Sequence, residues 1–272
     1  MTHDRIRVGN QTSKEVPYAE PFEFALRHGF DAFEWFSDRG RGGWCEHDMD
    51  ADARLRLRER CTKADLLCSV HAAYAADPTT AEGEAAIRRS IDFAGDVRAG
   101  VVNLHLFPER PVALFAARLG TLIESARRRG VRLSLENTPA VSPEHVNAVF
   151  DLLSRNSEAH GRVGLCFDMG HANLHESTRN DYCVFLDRLG AHVPVVHWHA
   201  HENWGDRDSH LTLFTGPAAR DDRGVRGVVR RLLRRGFAGS VVLEQWPQPP
   251  ELLIRARDRL RELIASATAE AV

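Results

Sequence analysis

The sequence predicts an α/β protein folded as a single (β/α)8 TIM barrel, with one domain over residues 1–272, and three observations support this fold class. Eight short runs typical of β-strands alternate with eight longer amphipathic runs along the chain. The length of 272 residues fits one such barrel, which commonly has about 250 residues. No Pro/Gly/Ser-rich linker divides the chain, and it lacks the GxGxxG turn expected of a doubly wound nucleotide-binding sheet.

Each predicted strand is a short β-type run, and each is followed by a run with helical periodicity. In chain order, the predicted strands cover residues 6–10, 32–36, 66–72, 101–107, 131–137, 163–169, 194–201 and 240–246. The predicted helices cover residues 19–28, 51–64, 80–98, 112–129, 143–155, 181–189, 224–235 and 250–267. Helix punctuation supports these bounds, because Ser142 and Pro143 form an N-cap and first turn, and Gly130 directly follows a predicted helix.

The composition is that of a globular protein with nearly balanced charge. Hydrophobic residues make up 43% of the chain, and 36 basic against 38 acidic side chains give a net charge of −2, so no overall field attracts nucleic acid or an anionic membrane. The five cysteines have no CxxC spacing, which argues against a disulfide framework and a cysteine-rich zinc site. We find neither an export signal nor a membrane span. We therefore expect a cytoplasmic protein without a membrane partner, and its oligomeric state stays open.

Strand parity places polar side chains on the inner face of the predicted barrel. Since residues i and i+2 of a strand share a face, an inward Glu136 turns Leu133 and Leu135 toward the helices. The same alternation holds in the strands that end near His105 and Asp168. These polar residues lie at the carboxyl ends of their strands, which is the face where barrel enzymes build their active sites.

Polar residues collect at this predicted mouth from six strands. They are His71, His105, Glu136, Asp168, His171, His199 and Glu244, with His197 and His201 on the same inner face and Asp208 and His210 in the next loop. Any single member could be a satisfied core residue, but the converging carboxylates and imidazoles would repel one another or stay unsatisfied without a cation. The set therefore predicts a divalent metal site, for which Zn, Mn, Fe and Co are all suitable.

These motifs resemble those of the xylose isomerase-like barrel superfamily, which contains sugar isomerases and epimerases, related dehydratases and endonuclease IV. They are SVHAAY at 69–74, LEN at 135–137, FDMGHAN at 167–173, HWHAHEN at 197–203, DSH at 208–210 and LE at 243–244. The resemblance covers nearly the whole chain and implies a shared metal site at Glu136, Asp168, His199 and Glu244. In the isomerases and epimerases it also implies that Glu136 and Glu244 exchange protons with the substrate, and that His171 binds substrate oxygens.

The chain also matches the endonuclease IV pattern, which implies as many as three metals. By this resemblance one ion would be held by His71, His105 and Glu136, a second by Glu136, Asp168, His199 and Glu244, and a third by His171, Asp208 and His210. Multinuclear centres of this kind suit phosphodiester cleavage. The stretch between His199 and Asp208 is shorter than in the nuclease and lacks its Lys and Ser, which is a departure in the DNA-contacting loop.

Our leading hypothesis is a metal-dependent isomerase or epimerase of a small sugar, sugar phosphate or polyol, in which Glu136 and Glu244 move the proton of a metal-stabilised enediolate. The alternatives are an endonuclease IV-like zinc phosphodiesterase acting on abasic DNA, a related sugar-acid dehydratase, and a non-catalytic barrel. The expected partner is a small carbohydrate, and DNA only under the nuclease alternative. Three more residues are candidates for substrate binding: Glu34 on strand two, Arg39 in the loop after it, and Trp204 beyond strand seven.

Overall fold

Eight parallel strands close into a barrel in chain order, as the sequence predicts. A computed structural model describes residues 6–271. The strands are β1 (Arg7–Gln11), β2 (Ala32–Phe36), β3 (Leu67–His71), β4 (Val101–His105), β5 (Arg132–Glu136), β6 (Val163–Asp168), β7 (Val195–Ala200) and β8 (Ser240–Leu243). The barrel closes where β8 pairs in parallel with β1. This arrangement confirms the predicted fold class.

Helices connect the strands and surround the barrel. They are α1 (Ala19–Arg27), α2 (Ala51–Lys63), α3 (Ala81–Val97), α4 (Val112–Arg129), α5 (Pro143–Leu153), α6 (Met169–Leu174), α7 (Tyr182–Arg188), α8 (Arg223–Arg234) and α9 (Glu251–Ala271). The predicted helix punctuation is present, since Ser142 accepts a hydrogen bond from the His145 backbone N–H at 3.1 Å, and Gly130 ends α4 in the left-handed conformation with φ 69°. Within residues 6–271, no helix combines the length and apolar character needed to cross a bilayer.

The main difference from the predicted elements follows β6. The sequence predicts a strand over 163–169, but β6 ends at Asp168 and α6 begins at Met169. Asp168 forms the N-cap, because its Oδ1 accepts a hydrogen bond from the His171 backbone N–H at 2.6 Å. Since the helix starts without a loop, His171 stays close to the end of its strand.

The outward faces of the strands form the interface with the helices. Leu133, Leu135, Leu165 and Phe167 are fully buried there, as strand parity predicts. Burial of one such side chain stabilises the fold by about 1.5–3 kcal/mol. The apolar core therefore lies between barrel and helices, which leaves the barrel interior free for polar groups.

Polar side chains fill the barrel interior below the mouth and hydrogen bond to one another. Ser134 Oγ donates to Asn103 Oδ1 at 2.6 Å, and Asn103 Nδ2 donates to Glu136. On the other side, Ser69 Oγ donates to Glu34 Oε2 at 2.8 Å. These bonds provide a fixed polar floor beneath the carboxyl ends of the strands.

Candidate functional site

The carboxyl ends of β3 to β8 bring the candidate ligand residues to one mouth. Contacts of 4 Å or less link all nine residues into one network. The nine are His71, His105, Glu136, Asp168, His171, His199, Asp208, His210 and Glu244. Local structure delivers each side chain: strand parity turns the strand residues inward, α6 carries His171, and the loop after β7 carries Asp208 and His210.

Glu136 lies at the centre of this group and contacts four imidazoles. Its Oε2 is 3.0 Å from His71 Nε2 and 3.2 Å from His199 Nδ1. Its Oε1 is 3.5 Å from His105 Nε2 and 3.3 Å from His171 Nδ1. Burial alone would raise the pKa of Glu136, but the charges of His199 and His105 hold this pKa well below its usual value. Glu136 is therefore an ionised carboxylate in contact with four imidazole nitrogens.

His199 links Glu136 to two further carboxylates. Its Nδ1 is 3.4 Å from Glu244 Oε1 and 3.8 Å from Asp168 Oδ2. Burial raises the pKa of Glu244, although His199 and His210 oppose this shift. His199 Nδ1 thus faces three buried carboxylates. This nitrogen and the carboxylate oxygens together form a donor set suited to a divalent cation.

Asp208 joins two further imidazoles beside this group. Its Oδ2 is 3.2 Å from both His171 Nε2 and His210 Nε2. Burial opposes ionisation of Asp208, but hydrogen bonds from the two imidazoles hold its pKa far below the usual value. Burial would lower the pKa of His210, yet Asp208 and Glu244 raise it to about 9. The three side chains form a second mixed nitrogen and oxygen donor set.

A pair of backbone hydrogen bonds holds the loop that carries Asp208. The Glu202 N–H donates to the Leu211 carbonyl at 2.9 Å, and the Leu211 N–H donates back to the Glu202 carbonyl at 2.8 Å. The buried Glu202 carboxylate also accepts hydrogen bonds from the backbone N–H groups of Ala218 at 2.6 Å and Gly216 at 3.2 Å. These contacts place residues 203–210 directly over the mouth.

Four imidazoles at the mouth use Nδ1 to contact a backbone carbonyl. The pairs are His71 with Ala72 at 2.6 Å, His105 with Tyr74 at 3.1 Å, His171 with Asn137 at 2.9 Å, and His210 with Glu244 at 3.0 Å. A carbonyl only accepts, so each Nδ1 carries a proton, and each ring directs its Nε2 toward a carboxylate, where either a second proton or a bound cation makes the contact favourable. A lone pair facing a carboxylate is unfavourable unless a cation or a second proton lies between them. This pattern is typical of histidines that bind metal.

Several buried atoms of the cluster also lack hydrogen-bond partners among residues 6–271. They are Glu136 Oε1, His199 Nδ1, Glu244 Oε2 and His201 Nδ1. An unsatisfied buried polar group destabilises a protein by about 1–3 kcal/mol, so several together need compensation. Ligand atoms lie within 4.8 Å of one another in each of three groups, which are His71 with His105 and Glu136, Glu136 with Asp168 and His171, and His171 with His201, Asp208 and His210. The residues present therefore fit divalent metal ions.

His201 belongs to the cluster, although the sequence interpretation gave it no role. Its Nε2 is 3.2 Å from Asp168 and 4.0 Å from Asp208, and its ring stacks on His210 with 3.9 Å between centroids. The imidazole occupies the space that a Cβ would need at Gly170. Strand parity already places His201 on the inner face, two residues after His199, but it does not show that the side chain reaches Asp168.

The three further substrate-binding candidates lie in different surroundings. Glu34 is fully buried beneath the mouth, in contact with His197 and His199. Arg39 is exposed on the rim and pairs with Asp48 at 2.8 Å. Trp204 is 53% exposed and lines a cavity of about 330 Å³ beside the mouth.

Comparison with known proteins gives one family and two partial relatives. Residues 22–263 match the family model described as "xylose isomerase-like TIM barrel". An uncharacterised protein of Methanocaldococcus jannaschii is 29% identical over 134 residues, which cover 46% of this chain and 41% of that protein. A probable endonuclease 4 of Methanoculleus marisnigri is 31% identical over 164 residues, which cover 54% of this chain and 57% of that protein. The matches thus span about half the length of these curated relatives.

Among solved structures, a D-tagatose 3-epimerase-like protein superposes on nearly the whole chain. The TM-score is 0.77 at 20% sequence identity, covering 98% of this chain and 100% of that one. At this level of identity the likeness establishes the fold alone.

Proposed function

We propose, from the premise that this chain belongs to the xylose isomerase-like TIM barrel family, that it hydrolyses phosphate esters with a multinuclear divalent-metal centre. The sequence alone placed isomerase or epimerase activity first, and we now place phosphate-ester hydrolysis first. The partial match to a probable endonuclease 4 agrees with hydrolysis.

The observation that carries the proposal is the set of four imidazoles whose Nδ1 groups contact backbone carbonyls. Their Nε2 atoms all face carboxylates of one connected network. A single-metal isomerase would need neither His71 nor His105 as a ligand. Glu136, with four imidazoles within 3.5 Å, is suited to bridge two ions, and a bridging carboxylate is a poor proton acceptor.

The residues fall into three donor sets, which share Glu136 or adjoin it. We assign His71, His105 and Glu136 to the first, Glu136, Asp168, His199 and Glu244 to the second, and His171, Asp208 and His210 to the third. Bound divalent ions would polarise the phosphoryl group and activate water. The nitrogen and oxygen donors suit Zn, Mn, Fe or Co. The protein's own part is to hold these atoms in place through the backbone contacts of the imidazoles and the loop contacts of Glu202.

The rim favours a small ester over duplex DNA. Tight binding to duplex DNA relies on cationic side chains that are free to contact phosphates. Two rim arginines already bind carboxylates: Arg39 contacts Asp48 at 2.8 Å, and Arg110 contacts Asp77 at 2.6 Å. The exposed ring of Trp204 is available to stack against a sugar or a base.

The first experiment measures metal content and phosphate release together. We expect about three divalent metals per chain, as a multinuclear centre requires, and metal-dependent hydrolysis of phosphate mono- or diesters. An abasic duplex is included at low and high salt, because incision at low salt would replace the small ester with DNA as the substrate. One tightly bound metal together with no hydrolysis of any ester would refute the proposal.

Isomerase or epimerase activity is the second candidate, and the position of His199 favours it. Glu136 and Glu244 both lie within 3.4 Å of His199 Nδ1, so these residues would hold one divalent ion, which would acidify a C–H group next to a substrate carbonyl, and either carboxylate could accept that proton. In this case Glu244→Gln would abolish exchange of a substrate C–H proton with deuterated water. Unchanged exchange in that variant would exclude this assignment. Product analysis would separate the related dehydratase, because it releases water after removal of the same proton.

A further inference from the structure

Glu34 lies directly beneath His199, where its side chain is fully buried. Its Oε2 accepts hydrogen bonds from Ser69 Oγ and from His197 Nε2, each at 2.8 Å. Its Oε1 lies 2.9 Å from His199 Nε2. One carboxylate therefore faces two imidazoles that extend from the inner face of β7, across the barrel.

His199 is oriented in the opposite way to the four imidazoles that contact backbone carbonyls. Its Nδ1 faces the carboxylates of the mouth, and its Nε2 faces Glu34. An ionised carboxylate only accepts, so Nε2 is the nitrogen that carries the proton. The Nδ1 lone pair is then directed at the donor set of Glu136, Asp168 and Glu244.

Packing alone does not account for a carboxylate at this position. A buried ion is unfavourable unless it is paired and hydrogen bonded, and apolar residues of similar volume often replace such groups without loss of stability. The contacts of the two Glu34 oxygens with Ser69, His197 and His199 supply the pairing that a buried carboxylate needs. Glu34 therefore lies behind His199 as its buried carboxylate partner.

We infer that Glu34 is a positioning residue, which fixes the tautomer and the ring orientation of His199 for metal binding. A carboxylate behind a ligating imidazole also raises the basicity of the ligand nitrogen. The inference rests on the proposed metal centre and applies equally to either candidate reaction. It replaces the expectation that Glu34 binds substrate.

Glu34→Gln tests this role through metal affinity rather than through turnover. His197 faces Oε2 and His199 faces Oε1, and the amide replaces one of these oxygens with an NH2 group, so only one of the two imidazoles still faces an acceptor. We expect the zinc affinity of the donor set that contains His199 to fall roughly 10–100-fold, as for the loss of other groups that hydrogen bond to a metal-binding imidazole. The donor set that contains His210 should keep its zinc affinity. The measurement is zinc per chain at a series of chelator-buffered zinc concentrations.

A second substitution distinguishes positioning from simple support of the fold. In the Glu34→Gln background, His197→Met removes the competing imidazole and leaves the amide oxygen to His199, so most of the lost affinity should return. Ser69→Ala is the matched control, since it removes one hydrogen bond to Glu34 and keeps the carboxylate. If Glu34→Gln does not fold, Glu34→Asp has a shorter reach and should show the same selective loss.

The outcomes separate this inference from the proposed function. A double variant that binds zinc no better than Glu34→Gln would overturn the positioning role. Unchanged zinc affinity in Glu34→Gln, beside a wild-type chain that binds zinc, would overturn the inference and leave the proposed function standing. A wild-type chain that binds no divalent metal would overturn both.

Discussion

Ion pairs at the barrel mouth and on the outer helices use different residues in different surroundings. On the outside, arginines meet carboxylates at the surface: Arg231 contacts Asp187 at 2.6 Å, and the Asp187 side chain is 51% exposed. In the deeper part of the mouth, histidines meet carboxylates out of contact with solvent, as His199 meets Glu136. Water can solvate the outer charges, whereas the charges of the mouth depend on one another and on any bound cation.

The difference shows which pairs contribute to function rather than to stability. Exposed ion pairs typically contribute about 0–1 kcal/mol, and either partner can be lost without consequence for the other. Buried pairs carry a desolvation penalty that their mutual attraction does not always repay. The orphaned atoms of Glu136, His199 and Glu244 increase this penalty. The buried polar groups of the mouth therefore carry a desolvation penalty, which metal binding would reduce.

The largest expected effect comes from removing the shared carboxylate. Glu136→Gln leaves four imidazoles, three of them buried, without their common partner, so the free energy of unfolding of the metal-free chain should fall by about 3–5 kcal/mol. Metal should also be lost from both centres that share Glu136. Urea unfolding after chelation and elemental analysis measure the two effects.

The matched control for Glu136→Gln is Glu124→Gln, which removes a carboxylate from the exposed pair with Arg127. If the two variants lose equal stability, the contrast between mouth and surface is wrong.

Metal removal should give the next largest effect. A ligand at 100 times its dissociation constant stabilises the folded chain by about 2.7 kcal/mol, which corresponds to roughly 5–10 °C in melting temperature for a chain of this size. We expect chelation to lower the melting temperature and added zinc to restore it, as followed by scanning calorimetry. A melting temperature that is indifferent to chelator and zinc would indicate that the buried charges of the mouth neutralise one another without metal.

Zinc binding should release protons, because a ligating imidazole must be neutral. The pKa of His210 is raised to about 9 in the metal-free chain, so this imidazole is protonated below that pH and must lose its proton to bind zinc. Affinity should fall about tenfold, or 1.4 kcal/mol, for each pH unit below 9 and each proton displaced. Calorimetric titration in buffers of different ionisation enthalpy counts the protons, and a count of zero would contradict the assignment of His210.

The smallest effect is expected on the helix surface. Arg231→Gln breaks the contact with Asp187, and we expect unfolding stability to change by less than about 1 kcal/mol. Zinc content should stay the same. A loss of several kcal/mol in urea unfolding would show that the outer pairs support the barrel as strongly as those at its mouth.

The fold was predictable because two periodicities are visible along the whole chain. Strand parity correctly turned Leu133 and Phe167 outward, and the strands of Glu136 and His199 end at one mouth as expected. Helix α6 was missed because Asp168 acts as an N-cap, and a capping aspartate directly after a strand resembles any other polar strand end.

The surroundings of individual site residues were less predictable. Sequence alone located Glu34 on strand two but not its orientation or its depth, which depend on how β2 and β7 lie relative to each other across the barrel. It also left His201 without a role, since its place beside Asp208 depends on how the following loop returns. Both positions are set by contacts between residues distant in sequence, which neither propensity nor spacing records.

The two hydrogen bonds between Glu202 and Leu211 have a consequence for how this protein could be altered. The eight residues between them form a replaceable unit with fixed ends, and that unit carries Trp204, Asp208 and His210. Exchanging it for the same segment of a relative would change the rim and one donor set together, while the barrel and Glu136 stay as they are. Substrate specificity and the number of bound metals could therefore be changed together by exchanging this one segment.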